Sequence, residues 1–328
     1  MRLDPHREKD VAELPVTINL LCFAVRAFWP LLCLRVLAGL SAGAAYPIAL
    51  AGVLDTTRAP RNTGLMMSLQ VVFGAAGVYA IDAVRLTWRL DAFYAFLCGG
   101  LLIALFVSAR WYPDDPGDRP PAGRIPWRVL AGRGTLVAAG TGLYFLMIGA
   151  VWGYLEGIAR AAGLSLEQTG TALSGGLVVS LLGSGVAAWL GLRFGRARPL
   201  MVSGLVQMIT LALLTRLSHY TDPVAAFFVI NAVFQIMWSY VVSYFIITFN
   251  DVDATGRFVA VYGTASHMAL AVGPYVGGLL IVDRSYTPLL WFGVIAVSAC
   301  YACFLAAIGL GRAARGAPRT APPAHPCR

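Results

Sequence analysis

The chain consists mainly of long apolar runs separated by short polar segments. A helix needs about 20 apolar residues to cross the roughly 30 Å hydrocarbon layer of a bilayer. Nine runs approach or exceed this length, and they lie near 29–50, 64–82, 91–109, 135–158, 170–190, 200–216, 223–248, 258–281 and 287–310. A shorter run at 15–27 precedes them. Because the runs are continuous rather than alternating, they predict an all-α integral membrane protein with nine or ten transmembrane helices and not a barrel.

Composition and charge agree with this prediction. Of the 328 residues, 58% are hydrophobic and 12% charged, whereas a soluble domain has about 25% charged residues. The net charge of +9 comes from basic residues in short loops without interleaved aromatics, so nucleic acid is not a predicted partner. The six cysteines lie mostly in apolar runs, and Cys300-Tyr-Ala-Cys303 has no second pair. We therefore predict neither a metal site nor a cofactor.

The basic residues also predict an orientation. If the run at 15–27 crosses the membrane, the loops and termini on one side of the membrane carry 18 Lys and Arg residues, and those on the other side carry six. Cytoplasmic loops are the basic ones. This places both termini in the cytoplasm of a multi-pass protein in a bacterial-type inner (plasma) membrane.

The two halves of the chain contain an internal repeat. Asp55-Thr-Thr-Arg-Ala-Pro-Arg61 and Asp251-Val-Asp-Ala-Thr-Gly-Arg257 are 196 positions apart and precede corresponding helices. The same shift relates Gly77 to Gly273 and Arg35 to Asn231. Parallel repeats of six helices occur in one large transporter class. Applied backward, the shift leaves the helices at 135–158 and 170–190 without counterparts, so two N-terminal helices are expected to be missing.

The repeat predicts a domain organisation. Residues 1–109 form a partial N-terminal bundle with the third to sixth helices, and 110–134, rich in Pro, Gly, Asp and Arg, form a cytoplasmic linker. Residues 135–311 form a six-helix C-terminal bundle, and 312–328 form a disordered cytoplasmic tail.

Three segments resemble motifs of the major facilitator superfamily. The segment from Phe28 to Gly43 resembles the family's fourth-helix motif, Arg193-Phe-Gly-Arg196-Ala-Arg-Pro-Leu its loop between helices eight and nine, and Gly273-Pro-Tyr-Val-Gly277-Gly its antiporter motif. The loop motif has Leu192 where the family usually carries Asp. The resemblance implies a two-bundle fold and transport by alternating access.

Charged and titratable side chains at membrane depth are the first functional candidates, because such groups are costly in hydrocarbon. Arg35 lies about 9 Å into its helix, judged from the usual helical rise, and the family motif implies substrate binding or proton coupling. Glu156 would share a helical face with Phe145 and Trp152, and His267 could titrate in the physiological range. Arg35 and His267 could instead have packing roles, and Glu156 could be a solvated residue near the outer end of its helix.

The second group of candidates is polar or small. Asn231, Gln235, Trp238 and Ser239 fall on one stripe of a helix and could face a substrate cavity or join helices; Trp152 and Gln70 are further candidates. Conformational or packing roles are predicted for seven residues: Gly39, Gly43, Gly273, Pro274, Gly277, Arg193 and Arg196.

The sequence therefore predicts a proton-coupled secondary transporter of a small organic solute, and we favour export because aromatics outnumber charges at membrane depth. No P-loop is present. Two alternatives stay open at this point. One is a truncated, inactive transporter fragment. The other is a membrane enzyme of the prenyl-transfer type, since Asn250-Asp251-Val-Asp253 resembles an acidic metal-binding motif.

Overall fold

The computed structural model describes residues 16–25, 27–54, 58–82, 89–111, 130–252 and 258–316. Several predictions concern residues outside these ranges. They include the N-terminal tail, most of the linker, parts of both Asp–Arg segments (55–57 and 253–257) and the tail after residue 316.

The described residues form an all-helical structure. Twelve α-helices are seen within these ranges: α1 16–24, α2 Phe28–Leu54, α3 Ala59–Asp82, α4 Arg89–Trp111, α5 Thr135–Trp152, α6 Leu155–Ala161, α7 Leu166–Val179, α8 Leu181–Leu190, α9 Ala197–Leu214, α10 Pro223–Val252, α11 Val259–Leu279 and α12 Thr287–Gly316. A π-helical turn, Leu130–Gly134, precedes α5, and a 3-10 turn, Leu217–His219, follows α9.

Five segments are long and apolar enough to cross a membrane: Ala131–Trp152, Leu166–Leu190, Ala197–Leu214, Pro223–Val252 and Thr287–Gly311. Shorter apolar segments lie in α2 and α4. Within the described residues, this number is lower than the nine full crossings predicted. α3 and α11 have 24 and 21 residues, but glycine and polar residues such as Gln70 and His267 reduce their mean hydropathy.

Helix boundaries agree with the repeat. A shift of 196 positions carries α2 to 224–250, α3 to 255–278 and α4 to 285–307. The corresponding observed helices are α10, α11 and α12, whose bounds differ from these by a few residues except at the longer C-terminal end of α12. The parallel pseudo-repeat is therefore present in the fold.

Two predicted boundaries are wrong. Residues 130–134 were assigned to the linker but form the π-helical turn that leads into α5 after a kink at Gly132. Residues 312–316 were assigned to the disordered tail but continue α12 to Gly316. In both places, the helical backbone extends beyond the apolar run that the sequence shows.

The run at 135–158 is also not one helix. α5 ends at Trp152, where the Tyr154 N–H donates to the carbonyl of Val151 over 3.1 Å. Tyr154 leaves the helical region at φ −122° and ψ 8°, and α6 starts at Leu155. Residues on either side of this turn therefore do not share a continuous helical face.

Glycines bring α5 and α11 together at backbone distance. A Cβ on Gly273 would lie 2.6 Å from the backbone nitrogen of Ala150 and from Cα of Gly149. Pro274 lacks an N–H, so the carbonyl of Leu270 loses its usual intrahelical donor. That carbonyl points at Gly149, where only a glycine leaves room for it. Backbone contact of this kind holds α5 and α11 together as one unit.

Contacts between α1–α4, here called the N-terminal group, and α5–α12, the C-terminal group, involve small or neutral side chains. Gly64 of α3 packs on Ala188 of α8, where a Cβ would lie 2.6 Å from the Ala188 Cβ. One turn further along α3, the Ser68 and Ser184 hydroxyls are 2.7 Å apart. α2 also packs against α11.

Candidate functional site

A stripe of polar side chains runs along α10 inside the C-terminal group. Asn231, Gln235, Ser239 and Ser243 are 1%, 3%, 2% and 2% exposed, respectively. Trp238 lies beside them and is partly buried. The spacing of three or four residues places the five on one side of the helix. We call these five residues the α10 stripe; the sequence predicted four of them, and Ser243 extends the set.

Asn231 anchors the α10 stripe to α7. Its Nδ2 donates to the carbonyl of Ala172 over 2.9 Å. Gly176, one turn further along α7, leaves the space that the Asn231 amide occupies, because a Cβ there would collide with it. The amide therefore has one structural bond.

Other polar atoms of the α10 stripe lack partners. Among the residues that the structure describes, Asn231 Oδ1, Gln235 Nε2, Trp238 Nε1, Ser239 Oγ and Ser243 Oγ are buried and make no hydrogen bond. Thr141 Oγ1 of α5 is likewise buried and makes no hydrogen bond with the described residues. Burying a donor or acceptor without a partner costs roughly 1–3 kcal/mol. Such a concentration on one helix makes the α10 stripe the candidate binding surface.

A second buried polar region contrasts with the first, and the sequence analysis missed it. Gln207 of α9 donates from Nε2 to the Tyr144 hydroxyl over 2.6 Å. Its Oε1 accepts from the Tyr301 hydroxyl at 2.9 Å, and Tyr301 is also 3.1 Å from Ser203 Oγ. We call these four residues the tyrosine network. Gln207 within the apolar run of α9 was the available signal.

Arg35 connects three helices of the N-terminal group. Its Nη1 donates to Oδ1 of Asn19 on α1 over 2.9 Å. Its guanidinium also lies 5.9 Å from the ring centre of the buried Tyr94 on α4, a cation–π contact. The structure thus shows packing partners for Arg35, while its predicted substrate role remains a prediction.

His267 lies on α11 where that helix meets the N-terminal group. Its ring is 5.0 Å from the ring of Tyr46 on α2, in an edge-on arrangement. Nδ1 is 2.8 Å from the carbonyl of Gly263. Because a carbonyl only accepts, Nδ1 carries the hydrogen, and Nε2 is left as the nitrogen that can gain a proton.

Glu156 and Trp152 do not form the helical face predicted with Phe145. The break at Tyr154 separates them: Phe145 is buried in α5, Trp152 is 41% exposed at its end, and Glu156 lies in the first turn of α6. Glu156 pairs with Arg160 at 3.8 Å, with both side chains more than half exposed. The helical face predicted for Glu156 with Phe145 and Trp152 is therefore not present, and its coupling role remains a prediction.

The ends of α5, α9 and α10 meet at a cluster of charges, here called the aspartate cluster. Asp251 Oδ2 is 3.1 Å from Arg133 Nη2 and 2.5 Å from Arg196 Nη1. Arg133 also donates to the carbonyl of Ala307 on α12 over 3.0 Å. Asp251 thus supplies the acidic partner that the loop motif lacks at Leu192.

The remaining predicted residues occupy varied surroundings. Arg193 lies 5.4 Å from the exposed Trp189 ring, and Gln70 is exposed on α3. A Cβ on Gly277 would lie 2.9 Å from the Tyr154 ring, but one on Gly39 or Gly43 would meet no described atom within 4 Å. The close packing predicted at the last two positions is therefore not seen.

The enzyme alternative needs free carboxylates for a metal and a diphosphate. Within the described residues, no group of three or more His, Cys, Asp or Glu side chains could hold a metal ion. Asp251 is already neutralised by two arginines, and Asp253 lies outside those residues. The side chains present do not fit such a site.

Long apolar helices, a parallel repeat and a buried polar stripe define the chain as a multi-pass membrane protein of the transporter class. The family model of the Major Facilitator Superfamily matches residues 137–326, more than half of the chain. The chain therefore belongs to the Major Facilitator Superfamily, and it is a transporter and not an enzyme. No curated protein sequence gives a significant match.

Two solved structures share the fold. One is a bacterial homologue of the iron transporter ferroportin in the outward-facing state, with 14% identity, a TM-score of 0.64, and coverage of 92% of this chain and 83% of that one. The other is the transporter FucP in the outward conformation, with 16% identity, a TM-score of 0.60, and coverage of 90% and 82%.

Proposed function

We propose that this chain is a secondary active transporter that moves a small organic solute across the plasma membrane by alternating access. The N-terminal and C-terminal groups are its two moving parts, and both chain ends lie in the cytoplasm. Export is the direction we favour, because aromatic residues outnumber charges at membrane depth and suit a partly hydrophobic solute.

The observation that carries this proposal is the contact between α3 and α8. There Gly64 packs against Ala188, and the Ser68 and Ser184 hydroxyls are 2.7 Å apart. A neutral hydrogen bond contributes only about 0.5–1.5 kcal/mol net. Opening the contact between α3 and α8 therefore breaks this neutral bond and strands no charge on these four residues.

Within the C-terminal group, the contacts are of another kind. Gly149 and Gly273 bring α5 and α11 together at backbone distance, and the aspartate cluster ties α9 and α10 to the start of α5. Rocking of one group against the other requires that each move as a packed unit, and these contacts support that for the C-terminal group.

Proton coupling is assigned to His267. Arg35 is held by Asn19 and Tyr94, and Glu156 by Arg160 at an exposed end. His267 instead lies where α11 meets α2, with Nε2 available for a proton. A charge gained there acts on the contact between the two groups.

A disulfide between α3 and α8 tests alternating access. The double variant Ser68→Cys/Ser184→Cys is reconstituted in vesicles loaded with a small-molecule extract of bacterial cells, and mass spectrometry identifies the solutes that leave. Oxidation is expected to stop release and a reducing agent to restore it, while each single variant is unaffected. Undiminished release from the crosslinked protein would overturn the proposal.

The coupling role has its own test. Release by the wild type is expected to respond to an imposed pH gradient, and release by His267→Gln is expected to ignore it while continuing downhill. Ser266→Ala, next to it, serves as the control. An unchanged response in His267→Gln would show that His267 does not couple protons.

A further inference from the structure

The α10 stripe indicates the chemistry of the transported solute. We propose that this solute is uncharged at neutral pH, carries several hydroxyl or amide groups, and binds along the α10 stripe through the atoms that now lack partners. The inference rests on the proposed function, since it requires that the chain transports a solute.

The unpartnered atoms define what the solute must offer. Asn231 Oδ1 only accepts, whereas Gln235 Nε2 and Trp238 Nε1 only donate. The hydroxyls of Ser239 and Ser243 do both. The solute must therefore present both donors and acceptors, and these must be distributed along about 18 Å of helix, judged from the usual rise per residue. Hydroxyl and amide groups meet this requirement.

A role in joining helices does not explain these atoms. A polar side chain that joins helices does so through a partner on the neighbouring helix, as Asn231 Nδ2 does with the carbonyl of Ala172. Gln207 uses both ends of its amide in the same way. The Gln235 amide nitrogen is buried to a similar degree but has no partner within the described residues. Its donors are free for a ligand.

Charge complementarity excludes an ionic solute. Among the described residues, the buried polar side chains are Ser, Thr, Asn and Gln, with no Asp, Glu, Lys, Arg or His. The charged groups of the C-terminal group lie at helix ends, where Asp251 and Glu156 have arginine partners. An ion bound to the α10 stripe would be desolvated without a countercharge, which is strongly unfavourable.

Trp238 adds an apolar surface to the polar set. Its ring packs against the apolar core, while its Nε1 remains an unpartnered donor. An indole suits a molecule with a flat or weakly polar face beside a hydrogen-bonding edge. α10 also contacts α3 besides α7 and α8, so the helix that carries the stripe reaches the contact between the two groups.

The test compares Gln235, whose amide nitrogen has no partner within the described residues, with Gln207, whose amide is bonded at both ends. We reconstitute wild type, Gln235→Leu and Gln207→Leu with the cell extract described above. Mass spectrometry identifies each released solute, and its chemical structure gives its charge at pH 7. The released solutes are expected to be uncharged. Gln235→Leu is expected to reduce their release at least tenfold with an unchanged or raised melting temperature, because it removes an unpartnered donor.

Gln207→Leu is the matched control. It is expected to lower the melting temperature by several degrees and to retain release per folded molecule, because it breaks a complete network whose hydrogen bonds do not involve the stripe's side chains. Release of an anion or cation, or full release from Gln235→Leu, would overturn the inference and leave the proposed function intact. A wild type that releases nothing would overturn both.

Discussion

Two sets of polar side chains are buried in the C-terminal group of this transporter, and they differ in their hydrogen bonds. In the tyrosine network, the Gln207 amide is bonded at both ends, and Tyr301 reaches Ser203 as well. In the α10 stripe, five polar atoms lack partners within the described residues. The two sets are adjacent, since Ser203 donates to the carbonyl of Met237 on α10 over 3.3 Å.

We interpret this difference as a division between a set that stabilises the fold, the tyrosine network, and a set that serves function, the α10 stripe. A completed buried hydrogen bond contributes to the folded state, whereas a buried group without a partner opposes it. An unpartnered buried group in a folded protein calls for an explanation, such as a functional role or a bound water or ion. On this basis, we propose that the tyrosine network stabilises the C-terminal group and that the α10 stripe binds the solute.

The largest loss of stability is expected where α5 and α11 pack against each other. Gly273→Ala places a Cβ 2.6 Å from backbone atoms of Ala150 and Gly149, so α5 and α11 must move apart and disturb both regions together. Overpacking against backbone is expected to cost about 3 kcal/mol. Thermal melting in detergent measures it, with Gly39→Ala, which meets open space, as the control; equal melting temperatures would contradict the packing.

The tyrosine network comes next. Tyr301→Phe keeps the ring but removes the hydroxyl that donates to Gln207 Oε1 at 2.9 Å. We expect a loss of roughly 1–3 kcal/mol, because the buried amide oxygen is left without a donor. Melting is again the measurement. An unchanged melting temperature would mean that the network contributes nothing to stability and would remove the contrast with the stripe.

Asn231 has features of both sets, so its substitution is expected to have an intermediate effect. Asn231→Ala removes the bond to the carbonyl of Ala172 but also removes the unpartnered Oδ1. The two contributions oppose each other, and a net loss of about 1 kcal/mol is expected. Chemical denaturation measures this loss, and solute release should fall as well. Loss of stability without loss of release would make Asn231 purely structural.

The smallest effect on stability is expected within the stripe. Ser239→Ala removes a hydroxyl that has no partner in the described part of the chain. The free energy of unfolding should therefore change by less than about 0.5 kcal/mol. Ser203→Ala, in the tyrosine network, is the matched control and should cost more. If Ser239→Ala proved the more damaging of the two, the assignment of the two regions would be reversed.

Much of this architecture could be predicted from the sequence. Apolar runs predicted the bounds of α10 and α11 to within a few residues, and the repeat related these helices to α2 and α3. Polar residues spaced at helical intervals identified the α10 stripe. These predictions succeed because each depends on the order of residues along one helix.

Features that depend on contacts between helices were missed. The break after Trp152 was hidden inside an apolar run, so Glu156 was predicted to share a helical face with Phe145 from which this break separates it. The pairing of Asp251 with Arg133 joins residues 118 positions apart, and no spacing rule reveals it. Nor could spacing show which buried glutamine has partners.

The most direct test of the account measures how the solute stabilises two variants. Wild type, Tyr301→Phe and Gln235→Leu are melted with and without the uncharged solute that wild-type vesicles release. A ligand raises the melting temperature only of a protein that binds it. Wild type and Tyr301→Phe should show the same rise, from different starting temperatures, and Gln235→Leu should show none. A full rise in Gln235→Leu, or its loss in Tyr301→Phe alone, would contradict the separation of the binding stripe from the structural network.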